Sequence, residues 1–319
     1  MKTRCKGLKS TCGKEATVYL GYIRRGFCDE HFIIYEIKRM SRTIKRYNMI
    51  KATKDTIFVA LSGGKDSSAL LDMLISYYNQ IEEKYRPKIE GIHINLGIDI
   101  NSFSDKSQNI VKKLCKRLNV PLHIIDLKKI YGHNLLEIKK SNQLRSKKIC
   151  SICGTIKRYL LNKYSMELGA TKIATGHLLD DEVALLMKNL IFGSIESLTR
   201  MSANLETIKE YNLLAKIKPL YEISEYETLN YVQIKNLPYI SEKCPFTNLK
   251  SKRMKNVMLD LEKEYPNARY SLLRNFNKYY RTIFKTQNNL DTKTISKCKK
   301  CGQPTTMKIC SFCRIMEKL

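Results

Sequence analysis

Apolar residues in the middle of the chain occur in two alternating patterns, which together predict an α/β fold. Short, mostly apolar runs are typical of strands buried in a parallel sheet. They span 57–61, 89–98, 120–127 and 171–178. Other segments repeat apolar residues at helical spacing. They span 30–49, a stretch from about residue 68, 104–118, 151–168 and 180–192. Because strands and helices alternate, we expect a parallel sheet covered by helices.

Charge is the most unusual feature of the composition. The 319 residues include 58 Lys and Arg but 30 Asp and Glu, a formal net charge of +28. Twenty of these 28 excess charges lie in 1–50 and 240–319. Such an excess predicts binding to a polyanion, with a merely solvated surface as the alternative. No basic amphipathic membrane helix, apolar run near 18 residues or secretory signal is visible, so we expect nucleic acid as partner, no membrane, and a cytoplasmic location.

Eleven cysteines, an odd number, argue against a disulfide framework. Two CxxC pairs near the C-terminus have the spacing of a four-thiolate zinc site, with iron or redox thiols as alternatives. A second predicted zinc set lies at the N-terminus, although six residues separate its first two cysteines. The alternative there is a free Cys5 and a buried Cys12. The two sets are Cys5, Cys12, Cys28 and His31, and Cys298, Cys301, Cys310 and Cys313. Cys115 is expected in the core.

The segment SGGKDS, Ser62–Ser67, stands between a predicted strand and a predicted helix. Backbone N–H groups at a helix start bind phosphate, and glycines allow it to approach closely. Lys65 adds a positive charge, and the serine hydroxyls add donors. The spacing is neither GxxxxGK nor GxGxxG. We therefore predict a phosphate-binding loop, against the alternative of a simple strand–turn–helix corner with capping serines.

Three further cysteines have no place in the terminal sets. Cys150 and Cys153 lie at the start of a predicted helix, where the helix terminus and nearby lysines are expected to lower thiol pKa values. Cys244 is distant in sequence, and we expect it to fold back towards them. Three thiolates leave one position open, which suits a zinc ion with water or an iron–sulfur cluster with one free iron. A persulfide or disulfide-exchange pair is the alternative.

These segments match a known family. VALSGGKDSSALL at 59–71 resembles the signature of the PP-loop ATP pyrophosphatases. CSICGTIKRYLLN at 150–162 and ATGHLLDDEVALLMKNLIFG at 174–193 resemble the tRNA 2-thiouridine synthetases of that family. The terminal cysteine sets and the lone SEKCPF cysteine fit the same group, so the resemblance covers nearly the whole chain. The wide Cys5–Cys12 spacing departs from it.

The resemblance implies a reaction and a set of residues. ATP would adenylate the C2 oxygen of a tRNA uridine, and sulfide on a [4Fe-4S] cluster held by Cys150, Cys153 and Cys244 would replace it, releasing AMP. Lys157 would neutralise the α-phosphate, and Asp181 would bind Mg²⁺ or move a proton, with Asp180 as the better helix cap. The implied catalytic residues are Lys157, Asp181, Cys150 and Cys153. The implied ATP contacts are Ala60, Ser62, Gly63, Gly64, Lys65, Asp66, Ser67, His93, Ile94, Lys157, Gly176 and Asp181.

The expected cofactors are therefore ATP, Mg²⁺, one [4Fe-4S] cluster and two Zn²⁺ ions. The expected partners are tRNA, a ubiquitin-like sulfur carrier or free sulfide, and a second copy of the chain. Alternatives are a persulfide-based thiolase, a lysidine-type ligase and a non-catalytic zinc RNA-binding protein. The predicted regions are an N-terminal zinc finger at 1–35, the PP-loop domain with its linking helix at 36–240, a basic helical segment at 241–290 and a zinc ribbon at 291–319.

Overall fold

In the computed structural model, six strands form one sheet, and all of its pairings are parallel except that of β7 with β8. The structure describes residues 4–8, 12–247, 253–287 and 295–319. Parts of the predicted terminal modules and basic segment, namely 1–3, 9–11, 248–252 and 288–294, lie outside them. The strands are β1 Val18–Leu20, β2 Arg25–Phe27, β3 Thr56–Ala60, β4 Lys88–Asn95, β5 Leu122–Asp126, β6 Lys172–Ala174, β7 Asn204–Leu205, β8 Ala215–Ile217, β9 Ser296–Lys297 and β10 Pro304–Thr305.

The helices account for most of the remaining ordered backbone. They are α1 Asp29–Arg46, α2 Lys65–Tyr78, α3 Phe103–Leu118, α4 Leu127–Tyr131, α5 Leu135–Lys140, α6 Ile149–Glu167, α7 Leu179–Ile191, α8 Ile195–Arg200, α9 Glu225–Ile234, α10 Arg253–Glu264, α11 Ala268–Asn275, α12 Arg281–Gln287 and α13 Ser311–Met316. Among the described residues, no helix combines the length and apolar character needed to cross a membrane.

The sheet order places one strand end at a special position. The order is β5-β4-β3-β6-β8-β7, so the chain leaves β3 towards β4 and β5 and later returns to β6 on the opposite side of β3. Ligands of open parallel sheets bind outside the carboxyl ends of the strands at such a reversal. The segment that follows β3 is therefore the expected binding position, and it is the SGGKDS segment.

Side-chain alternation along β3 explains how helices cover both faces of the sheet. Ile57 and Val59 belong to one core cluster with side chains of α1, α2 and α7. Phe58 belongs to a second cluster, packed against Leu161 and Tyr164 of α6. The basic C-terminal helices join the first cluster through buried side chains of α10 and α11, which are Met258 and Leu273.

The α/β expectation is confirmed, because every predicted strand and helix named above has a counterpart. The sequence pattern did not predict several short elements, among them β7, β8, α4, α5 and α8, nor the ten-residue helix α9. The two strands have two and three residues, too few for a periodic pattern to be recognised. Helix α9 buries residues such as Glu227 and Thr228, so its buried face lacks a continuous apolar stripe.

Candidate active site and metal-binding modules

The phosphate loop, Ser62–Ser67, turns directly from β3 into the first turn of α2. The Ser62 and Ser67 hydroxyl oxygens lie 3.3 Å apart, and the Ser62 hydroxyl also accepts from the Gly64 N–H at 3.3 Å. Ser107 on α3 supports the loop from behind by donating to the Ser62 carbonyl at 2.6 Å. The helix start, two hydroxyls and Lys65 are thereby presented together, as a phosphate group requires.

Two glycines allow this loop to pack as it does. Gly63 has φ +79°, and a Cβ there would lie 2.7 Å from Ser107 Oγ. Gly176, after β6, approaches the same turn from another strand. A Cβ at Gly176 would lie 3.1 Å from the Asp66 carbonyl carbon and 3.2 Å from Ser67 N. Gly176 therefore permits a close contact between the end of β6 and the loop backbone, in addition to its predicted role as an ATP contact.

A pocket beside the loop collects five of the predicted ATP contacts. It is lined by Ala60, Ser62, His93, Ile94 and Lys157, among other residues, and we call it the nucleotide pocket. The His93 Nδ1–H donates to the Leu61 carbonyl at 2.8 Å, since a carbonyl can only accept. Within the described residues, the buried Nε2 of His93 has no hydrogen-bond partner. Burial lowers the pKa of His93, and the charge of Lys157 lowers it further. The neutral ring thus keeps a free acceptor at Nε2.

Asp181 lies at the start of α7, and both of its carboxylate oxygens have partners. One oxygen accepts from the Leu178 N–H at 3.2 Å, and the other lies 2.5 Å from Lys255 Nζ on α10. The prediction that Asp180 is the cap of this helix is wrong. Asp180 is buried and accepts from the Glu225 N–H at 2.7 Å, so it supports the start of α9 instead.

The start of α9 adds two site residues that the sequence reasoning missed. Glu225 lies 3.3 Å from Lys65 Nζ and 3.6 Å from Lys255 Nζ. Thr228 donates to the Asp66 carboxylate at 2.7 Å. Burial opposes ionisation of Glu225, but the charges of Lys65 and Lys255 hold its pKa below the usual value. Alternating charges on Asp181, Lys255, Glu225 and Lys65 therefore connect the start of α7 to the phosphate loop. No local motif in the sequence predicts this connection.

Two of the three remaining predicted site thiols lie at the start of α6, and the third, Cys244, lies near enough to act electrostatically on Cys153. We call Cys150, Cys153 and Cys244 the mid-chain thiols. Cys150 Sγ lies 3.4 Å from the carbonyl oxygen of Phe246, within the turn that begins at Cys244. The expectation that Cys244 folds back is thus confirmed. The expected lowering of both thiol pKa values is wrong for Cys153, because burial raises the pKa of its thiol and outweighs the opposing charge of Lys157.

The segment 238–247 connects these thiols to the phosphate loop. Ser68 donates to the Pro238 carbonyl at 3.0 Å, and the Ile240 N–H donates to the Gly63 carbonyl at 2.8 Å. Four residues later comes Cys244. The segment that carries Cys244 is therefore held against the phosphate loop, and Lys157, whose charge acts on Cys153, lines the nucleotide pocket beside that loop.

Each terminal set of predicted zinc ligands forms a compact group. In both sets all four ligand atoms lie within 4.8 Å of one another. Cys12 and Cys28 Sγ are 3.9 Å apart, Cys301 and Cys310 Sγ are 3.7 Å apart, and Cys5 Sγ lies 3.6 Å from His31 Nδ1. Zinc–ligand bonds of about 2.0–2.3 Å place tetrahedral ligands roughly 3.6–3.8 Å apart. Both groups fit such an ion, and the position of Cys5 favours its inclusion.

The C-terminal group is packed against α6. The Phe312 ring stacks on Tyr159 with centroids 3.7 Å apart, and the Asn162 amide donates to Gln303 at 2.8 Å. Although burial opposes it, backbone N–H groups, first that of Cys310, lower the pKa of Cys298 to about 6. The module that carries the C-terminal cysteine set is therefore joined to the helix that carries Cys150, Cys153 and Lys157.

The profile of the PP-loop domain family matches residues 36–259. The chain belongs to the PP-loop family. Its relatives in this family include the tRNA-5-methyluridine(54) 2-sulfurtransferase of Pyrococcus horikoshii, 36% identical over 95% of this chain and 91% of that protein. The enzyme of the same name from Thermus thermophilus is 33% identical over 96% of this chain and 90% of that protein.

A solved PP-loop structure also matches along the whole chain. It is the U34-tRNA thiolase NcsA from Methanococcus maripaludis, solved with its [4Fe-4S] cluster. The match has a TM-score of 0.80 and 27% identity, and it covers 100% of this chain and 97% of that one. Within the PP-loop family, the chain therefore belongs to the tRNA 2-thiolation proteins.

Proposed function

We propose that this protein is an ATP-dependent tRNA uridine 2-sulfurtransferase. The observation that carries the proposal is the continuity of the site: the Ile240–Gly63 hydrogen bond of 2.8 Å ties the segment bearing Cys244 to the phosphate loop. A nitrogen-transferring ligase needs the loop but not three thiols beside it. The names of the relatives, which specify 2-sulfurtransferases and a tRNA thiolase, support the same choice.

In the proposed first step, the uridine C2 oxygen attacks the α-phosphorus of ATP, and the bond to pyrophosphate breaks. The phosphate loop holds the phosphates through its N–H groups, serine hydroxyls and Lys65. The free Nε2 of His93 is suited to accept from the adenine amino group. Lys157, which lines the same pocket, offsets the charge that develops on the α-phosphate. Asp181 remains the candidate for Mg²⁺ binding or proton transfer, with Lys255 competing for one oxygen.

In the second step, sulfur attacks C2, the C2–oxygen bond breaks, and AMP leaves. The mid-chain thiols fit a [4Fe-4S] cluster, because Cys150 and Cys244 both act electrostatically on the half-buried Cys153, as does Lys157 of the nucleotide pocket. When bound, such a cluster supplies an iron without a protein ligand that accepts hydrosulfide. The residues of the chain hold it beside the activated base, and the phosphate loop keeps the adenylate in place. Zinc ions are proposed for the two terminal groups, where they would stabilise small modules with few apolar residues.

The proposed partners follow from the surface. The +28 net charge suits tRNA in the cytoplasm. A homodimer is supported by an apolar patch at the end of α7 and start of α8, where Ile191 is 59% and Phe192 71% exposed. The sulfur is expected from a ubiquitin-like carrier's thiocarboxylate or from free sulfide. The relatives differ in the uridine that their names specify, so both the wobble and T-loop positions are candidates.

The experiment is anaerobic purification followed by thiolation of tRNA with ATP and sulfide, read by nucleoside mass spectrometry and fragment mapping. The wild type should carry about four iron atoms and form 2-thiouridine. Cys153→Ala should lose iron and thiolation but keep ATP–pyrophosphate exchange, because the phosphate loop is untouched. Cys115→Ala, at a buried cysteine that is not one of the mid-chain thiols, is the matched control and should keep both.

Each alternative gives a different result. Thiolation at an undiminished rate by iron-free protein in air would replace the cluster with a persulfide on Cys150 or Cys153. A nitrogen-containing product would indicate a lysidine-type ligase. Binding of tRNA without any ATP–pyrophosphate exchange would reject catalysis altogether.

A further inference from the structure

A second pocket lies on the other side of α6, where the C-terminal metal-binding module meets the sheet domain. Arg158 of α6 and Lys216 of β8 supply its positive charges, Cys310 of the C-terminal set also lines it, and none of the described residues around it is a carboxylate. We call it the anion pocket. Its polar lining is completed by Thr155, Asn162, Gln303, Thr305, Thr306 and Ser311. Within the described part of the chain, neither Arg158 nor Lys216 has an ion pair or a side-chain hydrogen bond.

Lys216 holds its ammonium group in a partly buried position beside the like charge of Arg158. Its neighbours in β8, Ala215 and Ile217, are buried, while Lys216 alternates to the face covered by α6 and is half-buried. Burial lowers the pKa of Lys216, and the charge of Arg158 lowers it further. Two like charges that share a partly buried pocket repel each other, and an anion bound between them would offset this repulsion.

The geometry of α6 separates this pocket from the nucleotide. Lys157 lines the nucleotide pocket, whereas Arg158 lines the anion pocket. Successive residues of an α-helix point about 100° apart. An anion between Arg158 and Lys216 therefore occupies a different place from the phosphates of ATP at Ser62–Ser67. The charge of Arg158 nevertheless acts on Cys153, so the pocket lies close to the mid-chain thiols.

We propose that Arg158 and Lys216 form a subsite for a backbone phosphate of the RNA substrate, close to the nucleotide that reacts. The inference rests on the proposed function and names a contact within it. The planar guanidinium of Arg158 suits bidentate binding of phosphate oxygens, and Lys216 adds a point charge. When tRNA binds, its backbone phosphates are the anions that can reach an open, polar pocket beside the reaction centre.

The C-terminal module takes part in this subsite. Gln303 and Ser311 line the pocket from the module, and Gln303 is held by the Asn162 amide at 2.8 Å. The module thereby forms one wall of the pocket, whose positive charges come from α6 and β8. Loss of its metal is expected to open the subsite, so RNA affinity depends on a metal ion that the reaction itself does not use.

The test uses the anaerobically purified, full-length protein with its metals. The dissociation constants of tRNA and ATP are measured for the wild type and for Arg158→Gln with Lys216→Gln, at salt concentrations from about 50 to 300 mM. The double variant should bind tRNA about tenfold more weakly. The slope of its log association constant against log salt concentration should be smaller in magnitude by about one. ATP affinity should stay within twofold. Arg158→Lys should lie between wild type and Arg158→Gln.

Lys84→Gln is the control, because Lys84 is exposed and precedes β4, which lies on the other side of β3 from β8 in the sheet. It should leave both affinities unchanged. An unchanged tRNA affinity and slope in the double variant would overturn the subsite. Loss of ATP affinity with an unchanged tRNA slope would assign the anion to the nucleotide and also overturn it. If the wild type fails to thiolate tRNA, the proposed function fails instead, and this result is separate from the binding data.

Discussion

The ammonium group of Lys255 lies 2.5 Å from a carboxylate oxygen of Asp181. The two residues come from α10 and from the start of α7, and 74 positions separate them in the sequence. Burial opposes the charge of Lys255, but Asp181 raises its pKa above the usual value. The basic C-terminal helices therefore contribute a side chain to the catalytic region as well as positive charge.

We predict that Lys255→Gln lowers the thiolation rate about tenfold, equivalent to roughly 1.4 kcal/mol of transition-state stabilisation. The reason is that Asp181 loses the partner that fixes one of its oxygens, while its contact with the Leu178 N–H remains. Rates are measured at saturating ATP and tRNA. The pH–rate profile should also shift, which a purely structural role would not produce.

Lys263→Gln is the matched control on the same helix, since Lys263 pairs with Asp260 in solvent. It should keep the wild-type rate. Asp181→Asn combined with Lys255→Gln should be no slower than Asp181→Asn alone, because the two residues act as a unit. Strictly additive losses would show that Lys255 acts independently of Asp181.

A comparison of two glycines separates backbone strain from steric fit in the phosphate loop. Gly63 and Gly132 have φ angles of +79° and +80°, but only Gly63 would place a Cβ within 4 Å of another residue, at 2.7 Å from Ser107 Oγ. Both Ala substitutions carry the strain of a left-handed residue, roughly 1–2 kcal/mol. We predict that Gly63→Ala also abolishes ATP binding measured by calorimetry, whereas Gly132→Ala retains it. Equal ATP affinity in both variants would mean that the loop does not hold the nucleotide.

The sequence allowed the phosphate loop and the terminal metal groups to be predicted because local chemistry determines them. SGGKDS lies between an apolar run and a helical pattern, and the ligand spacings of Cys298 to Cys313 suit one ion. By contrast, Glu225 and Lys255 have no local motif and reach the site through tertiary packing. The same reason explains the wrong prediction for Asp180: both aspartates suit a helix start, and only the position of α9 decides which one is buried.

The error at Cys153 has a similar origin. A helix start lowers a thiol pKa, and this local effect is readable from sequence. The depth at which α6 packs cannot be read from the sequence, and burial has the larger effect on the pKa of Cys153. Metal binding would replace the proton, so the raised pKa does not prevent the Cys153 thiol from acting as the proposed ligand.

His93 gives a prediction for acid stability. Its pKa is lowered by burial, so the folded protein binds this proton less readily than the unfolded chain. The neutral His93 ring therefore contributes its full share of the free energy of unfolding above about pH 6.5, the pKa in the unfolded chain. This contribution is lost as the pH falls towards and through the lower pKa of the folded protein. Urea unfolding from pH 7.5 to 5 should therefore show a smaller acid loss for His93→Leu than for the wild type. His133→Leu, at an exposed position, should follow the wild type. If His93→Leu loses as much unfolding free energy in acid as the wild type does, a group other than His93 causes the loss.

The C-terminal metal group gives the last prediction. Cys310→Ala removes one of four ligand atoms that lie within 4.8 Å of one another. We expect metal analysis of this variant to find one zinc ion per chain, against two in the wild type. Because Phe312 rests on Tyr159 and Gln303 on Asn162, the loosened module should weaken tRNA binding while ATP binding is kept. Cys115→Ala should retain two zinc ions, since Cys115 is buried in the core and burial raises its pKa to about 11. Two zinc ions in Cys310→Ala would exclude Cys310 as an essential ligand, and one ion with unchanged tRNA affinity would show that the metal stabilises the module without shaping the RNA surface.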